Sequence, residues 1–230
     1  MKERIIDFFS DLLSVVLGII ITFTIQGMID RAGDRKNVRS ALELVRSELL
    51  TNMDDIVIMR EYLEQERRSA DYFLCHVSEL DRCPADSIAF HSSVLFGNAS
   101  ISVCQDALEL LKLSSLFQKA GDKLLSMKII RAYDSCESTA RFINRRLDDH
   151  KALFDRSITA QNAAQIAPAG YIDIREYLKT DFGRYAIRSV AVQASAENFT
   201  DLSDVRAAVD AIDAYLGGKR RPAPTPQSVQ

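Results

Sequence analysis

The chain changes character once, near residue 30. From Leu12 to Ile29 the run LLSVVLGIIITFTIQGMI carries no charged residue, and beyond it charged and apolar positions are interleaved. The run meets the threshold of about 18 residues for a membrane-spanning helix. A helix from Phe8 to Ile29 reaches roughly 33 Å at about 1.5 Å per residue, against a hydrocarbon core of ~30 Å. A cleaved signal peptide needs a small-residue cleavage pattern, which Gln26-Gly27-Met28-Ile29-Asp30 lacks. A buried core helix would need elements packed on all its sides. The favoured expectation is an uncleaved signal anchor. It predicts a short N-terminal tail over 1–11, a transmembrane helix over 12–30, a helical bundle domain with a stalk helix over 31–217, and a disordered tail over 218–230.

Within the run, Ser14, Gly18, Thr22 and Gln26 recur four residues apart and follow one helix face. In lipid, small residues let backbones approach, and Ser, Thr and Gln hydrogen-bond across helices. The stripe therefore predicts a membrane-helix contact, with a second copy or with a partner span. Hydroxyls that bond back to their own helix are the alternative.

After the span, Val38, Leu42, Val45, Leu49, Ile56 and Leu63 recur near multiples of 3.5, with charges such as Glu43, Arg46, Glu48 and Asp54 between them. No Pro or Gly occurs from Asp34 to Arg82. This predicts one long amphipathic helix from Asp34 to about Glu79, with Ala32-Gly33 as the flexible point at its base. Asp81 to Asp86, with Pro84, forms the first break, where Asp86 or Ser87 could cap the next segment. Further helices are expected over 102–119, 123–157, 174–197 (with Gly183 as a weak point) and 202–216, the last capped by Thr200 or Asp201 and ended by Gly217-Gly218. Ser87–Val94 and Tyr171–Ile174 are the only strand candidates. The expected fold class is all-α: a transmembrane helix continuing into a long amphipathic helix, then an antiparallel bundle of about four or five helices.

The stretch Val16 to Asn52 resembles a widespread bacterial domain-of-unknown-function family. That family has one span with a G-I-L-x-A-L-Q-x-N-N-W-N-E-like pattern, followed by a charged helix. Gly18 and Ile19 stand at matching places, Asp30 replaces the Glu, and Gln26-Gly27-Met28 stand where Asn-Asn-Trp is usual. A second echo, of an A-Y-x-x-L-x-x-S-G-like pattern, lies at Ala107, Leu111 and Ser114; Leu108 replaces the Tyr and Ser115 sits where the Gly is expected. The resemblance implies a bacterial, membrane-anchored helical protein with no assigned activity. It also implies a cytoplasmic N-terminus, with the bulk domain on the periplasmic side of the inner membrane. Lys and Arg counts alone point the other way, through Arg31, Arg35, Lys36 and Arg39, but long domains translocate largely regardless of charge.

Composition adds exclusions. A mean hydropathy of -0.07 excludes a polytopic transporter. A formal net charge of -3, with no basic domain, argues against nucleic-acid binding. No G-x-S-x-G, P-loop, H-E-x-x-H or G-x-G-x-x-G occurs. Cys75, His76, Cys83 and His91 are ligand types, but their spacing does not match the close Cys pairs of zinc sites. Neither metal nor cofactor is expected. On the periplasmic side Cys75 could pair with Cys83, and Cys104 with Cys136; four reduced thiols are the alternative. Asp148-Asp149-His150 contains a carboxylate beside a histidine. Neighbouring residues on a helix diverge, and no carboxylate lies one turn from His150, so a solvated face is expected there. The chain as a whole reads as a non-enzymatic, single-pass membrane protein whose helical domain serves as an interaction module or scaffold. Its partners would be the membrane and a second copy or another membrane protein. A ligand-sensing bundle that signals through the span is the alternative.

Overall fold

A computed structural model of the chain describes the backbone of residues 2–159, 162–167, 172–193 and 200–217, and side chains from residue 33 onward. The fold is all-α, with no strand among the described residues. Helix α1 (Lys2–Cys75) is continuous over 74 residues, which corresponds to about 110 Å. A 3-10 turn (Leu80–Arg82) and α2 (Ala85–Leu95) come next, then α3 (Asp106–Leu113), α4 (Leu116–Ala120), the long α5 (Lys123–Ser157), the short α6 (Ala163–Ile166), α7 (Ile174–Lys179), α8 (Asp181–Ala191) and α9 (Ser203–Leu216).

Helix α1 runs through Ala32-Gly33 without a break. The run from Leu12 to Ile29 and its stripe of Ser14, Gly18, Thr22 and Gln26 fall where side chains lie outside the described residues, as does the tail over 218–230. Among the described residues, no helix is long and apolar enough to cross a membrane.

Several expected elements differ in detail. Ser87–Val94 is helical rather than a strand candidate: Pro84 stands at the N-cap of α2, and Ile88 and Leu95, two turns apart, are both buried. The helix expected over 102–119 is split. Residues before Asp106 are non-helical, and Ser115 adopts a left-handed conformation (φ 56°) between α3 and α4. The helix expected over 174–197 breaks at Thr180, whose Oγ1 accepts the Gly183 N–H at 2.9 Å and caps α8. Gly183 is required there, because a Cβ would stand 2.1 Å from the Tyr177 carbonyl oxygen. Ile172 and Asp173 are irregular, and Asp173 caps α7. Asp201 serves the start of α9 by accepting the Ser203 N–H at 2.8 Å.

The packing is not uniformly antiparallel. Tyr133 reaches Glu48, and His150 reaches Glu66. Both residue numbers rise together, so α5 runs parallel to α1. The cause is the return path: α2, α3 and α4 carry the chain back along α1, from Tyr62–Val94 through Ala107–Glu48 to Lys119–Asp34, before α5 begins. Helix α9 then descends, placing Asp213 on Arg46 and the Leu216 carbonyl on Arg39.

Two cores result. The proximal core, nearer the apolar run, joins α1 from Val38 to Leu63 with α3, α4, the first part of α5 and α9. The distal core joins Ala70 and Phe73 of α1 with α2, Phe154 of α5, α6, α7 and α8. Helices α1 and α5 are common to both. Each of the other helices belongs to one core only.

Candidate functional site

On α1 the buried positions Leu49, Asn52, Ile56, Leu63, Glu66, Ala70 and Phe73 keep the three- and four-residue spacing of a helix seam. On α5 Ile143, Leu147, His150 and Phe154 do the same. Each seam passes from one core to the other through a charged or titratable residue. Glu66 is 3% exposed and His150 4%. They meet at 2.9 Å, Nδ1 to Oε2. With Glu66 ionised, Nδ1 carries the proton and donates. Breaking one member of such a buried pair leaves an unpaired polar group in a dry environment, which is costly, whereas the intact pair adds little net stability. His150 is therefore not on the solvated face expected from the sequence. The carboxylate that orients it comes from α1, not from Asp148 or Asp149, which are both exposed.

Each member of the pair lines a different cavity. His150 lines a small one of about 10 Å³, with Arg67, Arg146 and Gln193. Among the described residues, Nε2 of His150 has no hydrogen-bond partner. Burial holds the Arg146 guanidinium below its ordinary pKa, an effect that the nearby Glu66 opposes. Glu66 lines the second, a groove of about 420 Å³. Its walls are Phe96, Leu147, Phe154 and Ile172, and its other charges are Asp148, Lys151 and Asp155. Phe96 and Phe154 meet edge to face at 5.0 Å.

The rim of the groove is the segment from Phe96 to Ser100, and the sequence fixes it closely. A Cβ at Gly97 would stand 2.7 Å from the Ser93 carbonyl oxygen and 3.0 Å from the Tyr62 hydroxyl, which itself donates to the Val94 carbonyl. The Asn144 amide holds both backbone groups of Ile101, at 2.9 and 2.7 Å. The Asn52 amide holds both groups of Cys104, at 2.9 and 2.8 Å. Two side chains thus supply the pairing that a neighbouring strand would otherwise give this extended segment.

The other clusters are occupied by structural bonds. Glu48, Cys104 and Asp106 bring three ligand-type atoms within 4.8 Å of one another. Glu48, however, accepts the Tyr133 hydroxyl at 2.5 Å, the Ala107 N–H at 3.0 Å and the Cys104 thiol at 3.1 Å. It caps α3 from a neighbouring helix. Burial opposes ionisation of Glu48, but these bonds outweigh it and keep the carboxyl below its usual range. All four cysteines are free thiols, so neither Cys75–Cys83 nor Cys104–Cys136 is joined. Cys104 is exposed and turned to Glu48, while Cys136 is fully buried in the proximal core. The His91 ring stacks on Tyr72 at 4.1 Å, and the His76 ring lies tilted against it at 4.5 Å. Burial, and then the neighbouring His76, hold the His91 imidazole below its ordinary pKa.

Comparison of the chain with protein-family models, with curated proteins and with solved structures returns no match.

Proposed function

We propose that the chain is a single-span, membrane-anchored helical protein that works by binding, not catalysis, with α1 serving as both anchor and spine. The observation that carries this reading is the continuity of α1 from Lys2 to Cys75, together with its contacts to α2, α3, α4, α5, α8 and α9. An apolar run over Leu12–Ile29 and a bundle-bearing remainder on one unbroken helix suit a scaffold held at a bilayer. The left-handed Ser115 supports the resemblance to the single-span family, since a glycine, which that pattern has at this place, adopts such a conformation at least cost.

Membrane fractionation of the full chain, with a reporter fused after Gln230, tests the reading. The chain is expected in the membrane fraction after alkaline wash, with the reporter active on the periplasmic side. Full release into the soluble fraction contradicts it. Gly18→Leu combined with Thr22→Leu is expected to weaken self-association in the membrane.

A second reading is favoured by the groove. Glu66 lies on α1 itself, so a ligand there would act directly on the helix that enters the bilayer. That arrangement suits a ligand-sensing bundle signalling through its span to a partner.

A further inference from the structure

We infer that the groove between the two cores binds a small organic cation: a primary ammonium group held at Glu66, with an apolar body against Phe96 and Phe154. The inference rests on the ligand-sensing reading for its purpose, but binding itself requires only the folded bundle.

Four observations lead there. The groove, at about 420 Å³, falls within the range of small-molecule sites, roughly 300–1,000 Å³. Of the charged residues that line it, Glu66, Asp148 and Asp155 are acidic and Lys151 alone is basic. Among the described residues, Asp148, Lys151 and Asp155 form no ion pair within 4.0 Å, so their charges are open to a ligand. Glu66 is almost wholly buried, so its carboxylate acts in a low-dielectric wall where an opposite charge is felt strongly.

The same residues exclude other ligands. An anion would meet three carboxylates. A bare metal ion needs converging donors, and the carboxylates of Glu66, Asp148 and Asp155 do not form such a cluster. A fully polar cation would leave Phe96, Phe154 and Ile172 unused. An arylalkylammonium ion uses both features, since an ammonium is also attracted to the face of an aromatic ring. Occupancy would draw on the Glu66 carboxylate that also bonds His150, so the imidazole reports binding.

The test is calorimetric titration of the full chain in detergent micelles. Phenethylammonium is the probe, with 2-phenylethanol and 3-phenylpropionate as controls of similar shape. The expected result is saturable one-to-one binding of the ammonium compound, at least tenfold tighter than either control, with a shift of the His150 Nδ1–H resonance. Glu66→Gln should weaken binding at least tenfold. Two exposed positions test the field without disturbing the core: Asp155→Asn should weaken binding about threefold, and Lys151→Gln should strengthen it. Equal affinity for the ammonium and the alcohol overturns the inference. So does an absence of saturable binding at 10 mM probe to folded protein, or affinity unchanged in both surface variants. Membrane partition of the same preparation is scored separately, so loss of the anchor reading and loss of the ligand reading are told apart.

Discussion

The two cores solve the same packing problem with different materials. The proximal core is mainly aliphatic, built from Leu42, Leu49, Ile56, Ile129, Ile143 and Ile212 on long helices. The distal core centres on Phe73, Phe154 and Tyr177, closed by α6, α7 and α8. Long helices bury a repeating stripe and need few special residues. Short helices have proportionally more ends, so the distal region spends Asp173, Thr180 and Gly183 on caps and close approaches. The difference implies that the polar junction separates a region stabilised by area from one stabilised by local geometry.

The largest test of this division is at the junction itself. Glu66→Leu or His150→Leu alone should cost about 3–5 kcal/mol, because each strands a buried polar partner; chemical denaturation with an unchanged m-value checks this. Next, Gly183→Ala should cost about 1–3 kcal/mol or more through overpacking against the Tyr177 carbonyl. Hydrogen exchange should place the loss in α7 and α8, with α9 spared. A loss spread evenly over both cores would dissolve the distinction. Asn144→Ala should then cost about 1–3 kcal/mol by orphaning both backbone groups of Ile101, with exchange rising in the 96–105 segment. In the proximal region, Ser115→Gly should stabilise by about 1 kcal/mol, since it relieves a left-handed residue; the thermal midpoint reads it.

The smallest effect is a pH dependence on the distal side. The folded-state pKa of His91 is held below its ordinary value of 6.5, so the unfolded chain binds this proton more readily. Its contribution to stability is complete above pH 6.5 and declines as pH falls through the lower folded value. Groups facing it are Tyr72, His76 and Ser69. His91→Phe keeps a ring against Tyr72 and should flatten the stability slope below pH 6.5.

Much of the framework was legible in the sequence. The stripe from Val38 to Leu63, helix α5 over 123–157 and helix α9 follow apolar spacing that burial then enforces. The partner change between cores was not legible, because it depends on which helices meet in space. Ser115 carries no strong turn signal, and Thr180 breaks a helix only because Gly183 lets the backbone close in. The candidate site was half legible. His150 stands three residues after Leu147 and four before Phe154, which places it on the buried seam, and Glu66 stands on the seam of α1. Their meeting could not be read along the chain, since the partner lies 84 residues away. Asn52 and Asn144 were invisible for the same reason: an amide that pairs with a distant backbone has no local pattern.

The central claim is that the Glu66–His150 junction serves binding and adds little net stability. The most direct measurement is the full double-mutant cycle on Glu66→Leu and His150→Leu, read by denaturation and by phenethylammonium titration on the same samples. The double variant is expected to regain wild-type stability or exceed it, by up to about 4 kcal/mol, while losing the bound cation. A double variant that stays about 3 kcal/mol or more below wild type, or one that binds the cation unchanged, would contradict it.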